Sequence, residues 1–240
     1  MSTSSTETQK KTFKADSPFT FACNDLLPCF TQCCRDVNIY LTPYDVLRLR
    51  RALKMSSSAF LSGHTRHFLS KRTNIPVVQL EMDPDTLYCK FVTDTGCQVY
   101  ADRPWACRMF PLDLTGTPGE LGLIAGPERC LGLTEAASAT VGEWLEGQGV
   151  GPYEEMEQVF HGVMPSSFNP GRGLPPSLGK LLFLAYDLDR FRNMLKDQNL
   201  LNLYEMDGQV LQKALADEEA LLRLAFVYIR TQIEELSSLV

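Results

Sequence analysis

The sequence lacks the features that mark membrane, secreted and nucleic-acid-coating proteins. It has no run of about 18 apolar residues, the length a helix needs to span a bilayer. Its opening, MSTSSTETQKKTFKADS, has no apolar stretch of the kind that directs secretion. Positive charge is in deficit, with 23 Lys+Arg against 29 Asp+Glu and a net charge of −6. A nucleic-acid or anionic-membrane binder needs the opposite balance. A cytoplasmic protein is expected, with neither nucleic acid nor membrane among its partners. Histidine is scarce, at 3 residues, and no G-x-x-x-x-G-K-[ST] phosphate loop occurs. Gly147-Gln-Gly149-Val-Gly151 imitates a nucleotide loop, but it follows a helical pattern and runs into Pro152, so it reads as a turn. His64 and His67 lie three apart in a helical pattern without a carboxylate motif, and read as a satisfied pair. His161 stands alone, and the Glu154-Glu155-x-Glu157 run reads as a solvated helix face. The remaining composition, 44% hydrophobic and 22% charged over 240 residues, suits a globular chain that builds its core without cross-links.

Cysteine is the exception. Eight occur, at 23, 29, 33, 34, 89, 97, 107 and 130, and none follows. Without an export signal these thiols meet a reducing compartment, where clustered cysteines more often hold metal than form disulfides. A disulfide framework would need export by another route. Plain burial of a small residue would account for Cys130, but not for four cysteines between Cys23 and Cys34. Thiolates are soft anionic ligands for zinc, iron–sulfur clusters and Cu(I). Four of them close a zinc site or hold a cluster. Eight satisfy two such sites, or one site with spare or redox-active thiols. Cys29 and Cys33 are spaced for a tight loop around one ion. The adjacent Cys33 and Cys34 diverge in an extended segment, so the pair bridges two metals or leaves one thiol outside the ligand set.

The patterning predicts an α+β fold, a small cysteine-rich part with short strands and helices followed by a helical C-terminal part. Residues 1–17 read as a disordered leader, 18–133 as the cysteine-cluster metal-binding domain, 134–176 as a helix and Pro/Gly-rich connector, and 177–240 as a helical extension packing on the core. Thr42-Pro43-Tyr44-Asp45 is a helix start, with Thr42 as N-cap, Pro43 at the first position and Asp45 as capping-box acid. A second helix is predicted from Ser56–Ser58 through Leu69. Residues 77–82 and 87–92 alternate and are predicted to form a hairpin, with further strands at 98–100 and 120–125. Helical spacing marks 134–147, 177–195 and 217–237.

The cysteines stand within a longer pattern. Cys29, Cys33 and Cys34 are followed by Leu41-Thr-Pro-Tyr-Asp45, and then by Cys97-Gln-Val-Tyr-Ala-Asp-Arg103-Pro-Trp-Ala-Cys107-Arg108-Met-Phe-Pro111. This order resembles the YkgJ-type cysteine-cluster family, described as a zinc- or iron-chelating domain with a CxxCxxxxCC signature, over about residues 20–130. Carried over position by position, the resemblance makes Cys29, Cys33, Cys34, Cys97 and Cys107 the foremost ligands, with Cys89 and Cys130 next. The opening C-x₅-C-x₃-C-C is looser than the family's, which places Cys23 last. Arg103 and Arg108 flank Cys107 and are expected to offset a polythiolate charge, donating to sulfur or to Asp102. The implied cofactor is zinc or iron, including an iron–sulfur cluster, and the implied role is structural, metal-handling or redox. The cysteine cluster is also similar to that of flagellin lysine N-methylase, which implies a protein-modifying enzyme acting on a protein substrate as the alternative. An interaction module gripping a protein partner through the apolar stripe of the C-terminal helices is a third reading.

Overall fold

The computed structural model describes residues 11–136, 138–164, 168, 171, 173–197 and 207–237. In chain order the strands and helices are β1 (Thr12–Phe13), β2 (Pro18–Thr20), α1 (Pro43–Ala52), α2 (Ser57–His64), β3 (Thr65–Leu69), β4 (Pro76–Leu80), β5 (Val92–Thr93), β6 (Gly96–Cys97), α3 (Trp105–Met109), β7 (Leu112–Leu114), β8 (Leu121–Leu123), β9 (Ser138–Thr140), α4 (Val141–Gln148), α5 (Gly151–His161), α6 (Pro176–Leu182), α7 (Leu188–Met194), α8 (Gly208–Ala216) and α9 (Glu218–Ser237). The fold is α+β. Its strands are short and antiparallel, in one three-stranded sheet ordered β1-β8-β7 and three two-stranded pairs, β2-β9, β3-β4 and β5-β6. No helix among the described residues is long and apolar enough to cross a membrane.

The helix start at Thr42 forms as its residue types dictate. The Asp45 N–H donates to Thr42 Oγ1 at 3.1 Å, and the Thr42 N–H donates to Asp45 Oδ2 at 2.8 Å. A second capping box, Thr140 with Glu143, starts α4. The last helix buries Leu221, Leu224, Ala225, Tyr228 and Ile229, the face its spacing predicts.

Several elements differ from the sequence reading. The second helix stops at His64, and Thr65–Leu69 becomes β3, with Phe68 opposite Val77 and His67 opposite Val78. His64 and His67 are therefore not one turn apart on a helix. Pairing with the Pro-Val-Val strand overrides the helical spacing there. The 77–82 and 87–92 segments form no hairpin beyond one bridge between Met82 and Cys89, because β3 holds one edge of the first and residues 39–41 hold the other. Residues Tyr100–Asp102 are a 3₁₀ turn, and the strand lies earlier, at Gly96–Cys97. Helix α4 begins at Val141, later than 134. The leader reading fails from residue 11 on, since Thr12 and Phe13 pair with Gly122 and Leu121 and Phe13 is buried. Residues 1–10 of that leader lie outside the described residues, as does much of the connector between 165 and 172.

Three apolar clusters hold these pieces. The largest unites Tyr44 and Leu47 of α1 with Tyr153 and Met156 of α5 and the helices from Pro176 onward. A second packs Leu41, Val46, Phe60, Val78 and Phe91, with Cys89 and Cys97 against it. The third places Phe13, Phe19, Leu112, Val141 and Trp144 together. Polar clamps complete the junction between α1, α2 and the C-terminal helices. The Tyr44 hydroxyl donates to Glu219 at 3.0 Å, Arg50 pairs with Glu218, and the Ser57 hydroxyl donates to Asp187 at 2.7 Å.

Candidate metal centre

The first cysteine run is a chain of tight turns. Phe30 N–H donates to Leu27 O at 2.8 Å, Gln32 N–H to Cys29 O at 3.0 Å and Cys34 N–H to Thr31 O at 2.9 Å. Thr31 sits in the left-handed region, at φ 66°, which tightens the winding into the 3₁₀ turn Gln32–Cys34. This brings the Cys33 and Cys34 sulfurs to 4.0 Å, so the adjacent pair does not diverge as an extended segment would make it.

Distant segments then close on this run. Cys89 N–H donates to Cys34 O at 2.8 Å, and Arg35 bridges to Tyr88. Cys97 follows through the β5-β6 hairpin, where it stands opposite Val92. Gly96 makes that hairpin at φ +116°, a conformation side chains avoid, and a Cβ there would meet Phe30 at 3.3 Å. Cys107 is carried on α3, one turn past Pro104, whose carbonyl accepts the Cys107 N–H at 3.0 Å. On the other side of the run, Leu131 N–H points at Cys29 Sγ at 3.3 Å, so the residue after Cys130 is anchored to Cys29. The Ala22 N–H reaches Gly132 O at 3.0 Å and fastens the start of the run to the same place.

All eight cysteines are free thiols. Cys130 is buried, Cys23 is exposed, and the others are half-buried. Their titration follows from burial and from one another. Burial pushes Cys107 upward, reinforced by Cys89 and Cys97. Burial also raises Cys89, with Cys97 adding to it, and raises Cys97, with Cys33 adding to it. Cys23 is pushed up to about 11, first by burial and then by Cys33, Cys130 and Cys29. Cys130 is raised by burial and then by Cys29. Cys33 goes the other way, to about 7, because the Cys34 thiol donates to it, with Arg129 assisting. Cys34 is raised by the same bond. Cys23, Cys34, Cys89, Cys97, Cys107 and Cys130 are thus held protonated by burial and by their neighbours, the condition a thiophilic cation reverses. The donors fit zinc or iron chemically, since they are thiols without admixed imidazole. Among the described residues, no three His, Cys, Asp or Glu side chains already stand positioned to hold an ion.

Residues 22–130, which include every cysteine, match the family model CxxCxxCC, described as "Putative zinc- or iron-chelating domain". Residues 22–130 are thus similar to that family's domain. No curated protein and no solved structure matches the chain. The family supports metal binding in coarse terms, without choosing between zinc and iron.

The two arginines beside Cys107 act differently from the expectation. Neither donates to sulfur or to Asp102. Arg108, which is buried, donates to Arg103 O at 3.0 Å, Gln148 O at 2.7 Å, Ala101 O at 2.5 Å and the Tyr153 hydroxyl at 3.0 Å. It stitches the loop before α3 to the end of α4, where Gly149 takes φ +66° beside the guanidinium. Arg103 donates to Tyr100 O at 2.7 Å and Gln148 Oε1 at 2.8 Å, while its charge lowers the Cys97 pKa. Asp102 instead pairs with Arg48 of α1 at 2.6 Å. Sequence reasoning missed Arg48, Gln148 and Gly149. Their partners lie tens of residues away, and only the arginine-flanked Cys107 hinted that such anchors exist.

Proposed function

We propose that the protein chelates zinc or iron through two four-thiol sets that meet at the Cys33-Cys34 pair. One set is Cys23, Cys29, Cys33 and Cys130. The other is Cys34, Cys89, Cys97 and Cys107. The observation that carries this reading is that the two adjacent sulfurs lie 4.0 Å apart while separate backbone anchors, Leu131 to Cys29 and Cys89 to Cys34, hold one group of cysteines on each. Four thiolates match the valence of one tetrahedral zinc or of one iron–sulfur cluster. Bound metal supplies positive charge that offsets thiolate repulsion, and iron would add one-electron chemistry. Closing either set requires the thiols to draw together, and the loop positions of Cys23, Cys29 and Cys130 suit that movement. Arg103 adds a fixed positive charge to the second set, and Arg108 holds the loop that carries Cys107. The protein-modifying reading draws on family resemblance alone.

The test is elemental analysis and a visible spectrum on the full chain purified without air. Zinc without colour supports structural or metal-handling chelation. Iron with sulfide and absorption near about 400 nm supports a cluster. Cys130→Ser and Cys107→Ser should each remove about half of the metal, from different sets. A full chain without metal, or either variant keeping all of it, overturns the proposal.

A further inference from the structure

The two proposed thiol sets lie in unlike surroundings. The first opens to solvent. Cys23 is exposed, and Cys29 lines an open groove of about 630 Å³ together with Gln32, Asp36, Leu87, Glu128 and Arg129. Two residues of that lining, Asp36 and Leu87, take φ +54° and +62°, and the Asp36 N–H donates to Leu87 O at 2.8 Å. A leucine in the left-handed region is held there by its surroundings, and such residues cluster at functional sites. The arginine charge that acts on Cys33 comes from Arg129, which is exposed on the same groove and therefore screened by water.

The second set is enclosed. Cys89 and Cys97 pack against the apolar cluster of Leu41, Phe60 and Phe91, and none of its four thiols lines the groove. Its arginines are buried, Arg108 at 6% exposure and Arg103 at 9%. Both donate to neutral acceptors, namely carbonyls, the Gln148 amide and the Tyr153 hydroxyl. Asp45 offsets Arg108 through space, and the Arg103 charge acts on Cys97 and Cys107. A tetrathiolate around a divalent ion carries net negative charge, so a desolvated guanidinium beside it holds the thiolates in place. Removal of an ion also needs an entering ligand to reach it, and an apolar shell denies that approach.

We infer that the first set is the exchange site of the protein, where metal enters and leaves through the groove at Cys29, while the second set retains its ion. The inference rests on the two-set reading above and assigns the metal ion as cargo at one set and as a fixed part of the fold at the other.

The test is transfer of zinc from the zinc-loaded full chain, prepared without air, to the coloured chelator pyridylazoresorcinol in stopped flow. Two phases of equal amplitude are expected, separated by about tenfold or more in rate, a gap that needs only ~1.4 kcal/mol of barrier. Cys130→Ser should remove the fast phase and Cys107→Ser the slow one. Glu128→Trp, at an exposed position on the groove, keeps every thiol and should slow the fast phase while leaving the slow one unchanged. It decides the matter even where a serine variant fails to fold. A single phase, a fast phase lost with Cys107→Ser instead of Cys130→Ser, or a fast phase indifferent to Glu128→Trp overturns the inference and leaves two-set chelation standing. Loading with fewer than two zinc ions per chain overturns the two-set reading, and this inference with it.

Discussion

Asp45 Oδ1 accepts the backbone N–H of Trp105 at 2.8 Å, joining the start of α1 to the start of the helix that carries Cys107. The other carboxylate oxygen closes the capping box with Thr42. One buried side chain therefore fastens the Leu-Thr-Pro-Tyr-Asp segment to the Asp-Arg-Pro-Trp-Ala-Cys segment, sixty residues away. Burial pushes its pKa up against the pull of these donors. A helix of five residues cannot hold its own position and depends on such anchors.

Asp45→Ala should cost about 3 kcal/mol, from the lost reciprocal half of the capping box and from the half-buried Thr42 and Trp105 N–H groups left unpaired. Metal content should fall with it, because α3 loses its seat. Asp45→Asn, which turns a donor toward one of the two N–H groups, should lose less. Urea unfolding and elemental analysis of the same preparations check both effects.

Arg108→Lys keeps the charge but cannot reach three carbonyls and a hydroxyl with a planar fork. A loss of about 2–3 kcal/mol is expected, since buried acceptors are left unsatisfied. Arg103→Lys, with fewer bonds at stake, should cost less. Thermal melts of the two variants side by side decide this, and equal losses would show that the Gln148 contacts dominate.

Cys107→Ser and Cys34→Ser should lower metal content and stability together, since metal binding free energy is folding free energy at such sites. Cys23→Ser should cost least, as Cys23 is the exposed member of its set. Chelator treatment of the native chain should lower its melting temperature and leave the Cys23 variant nearest to the native response. Equal loss for all three variants would show that the looser first spacing does not weaken its ligand.

Metal uptake should release protons. Cys89, Cys97, Cys107 and Cys130 are raised above the ordinary thiol range by burial, and binding requires thiolates. These four folded thiols therefore hold protons throughout the neutral range, and affinity should rise with pH and fall as pH drops. Calorimetry in buffers of different ionisation enthalpy counts the protons released. A pH-independent affinity would mean that the bound thiols are already ionised.

Local chemistry was legible wherever a few adjacent residues decide the outcome. Thr42 and Asp45 specify a helix start because cap and acid sit three apart in the chain. The stripe Leu221, Leu224, Ala225, Tyr228 and Ile229 specifies a buried helix face by its spacing alone. The cysteine pattern carried the resemblance to the chelating family over residues 22–130. Tertiary structure decided what depends on partners far along the chain. Val77 and Val78 pair with β3 rather than with residues 87–92, because a strand takes the edge that buries its alternating face. Glu157 belongs to an aromatic cleft and not to a solvated face, because the rings around it come from β3, the segment before α1 and the turn before α7. The proposed division of eight thiols around Cys33 and Cys34 likewise rests on hydrogen bonds to residues 89 and 131, contacts between segments that no local spacing encodes.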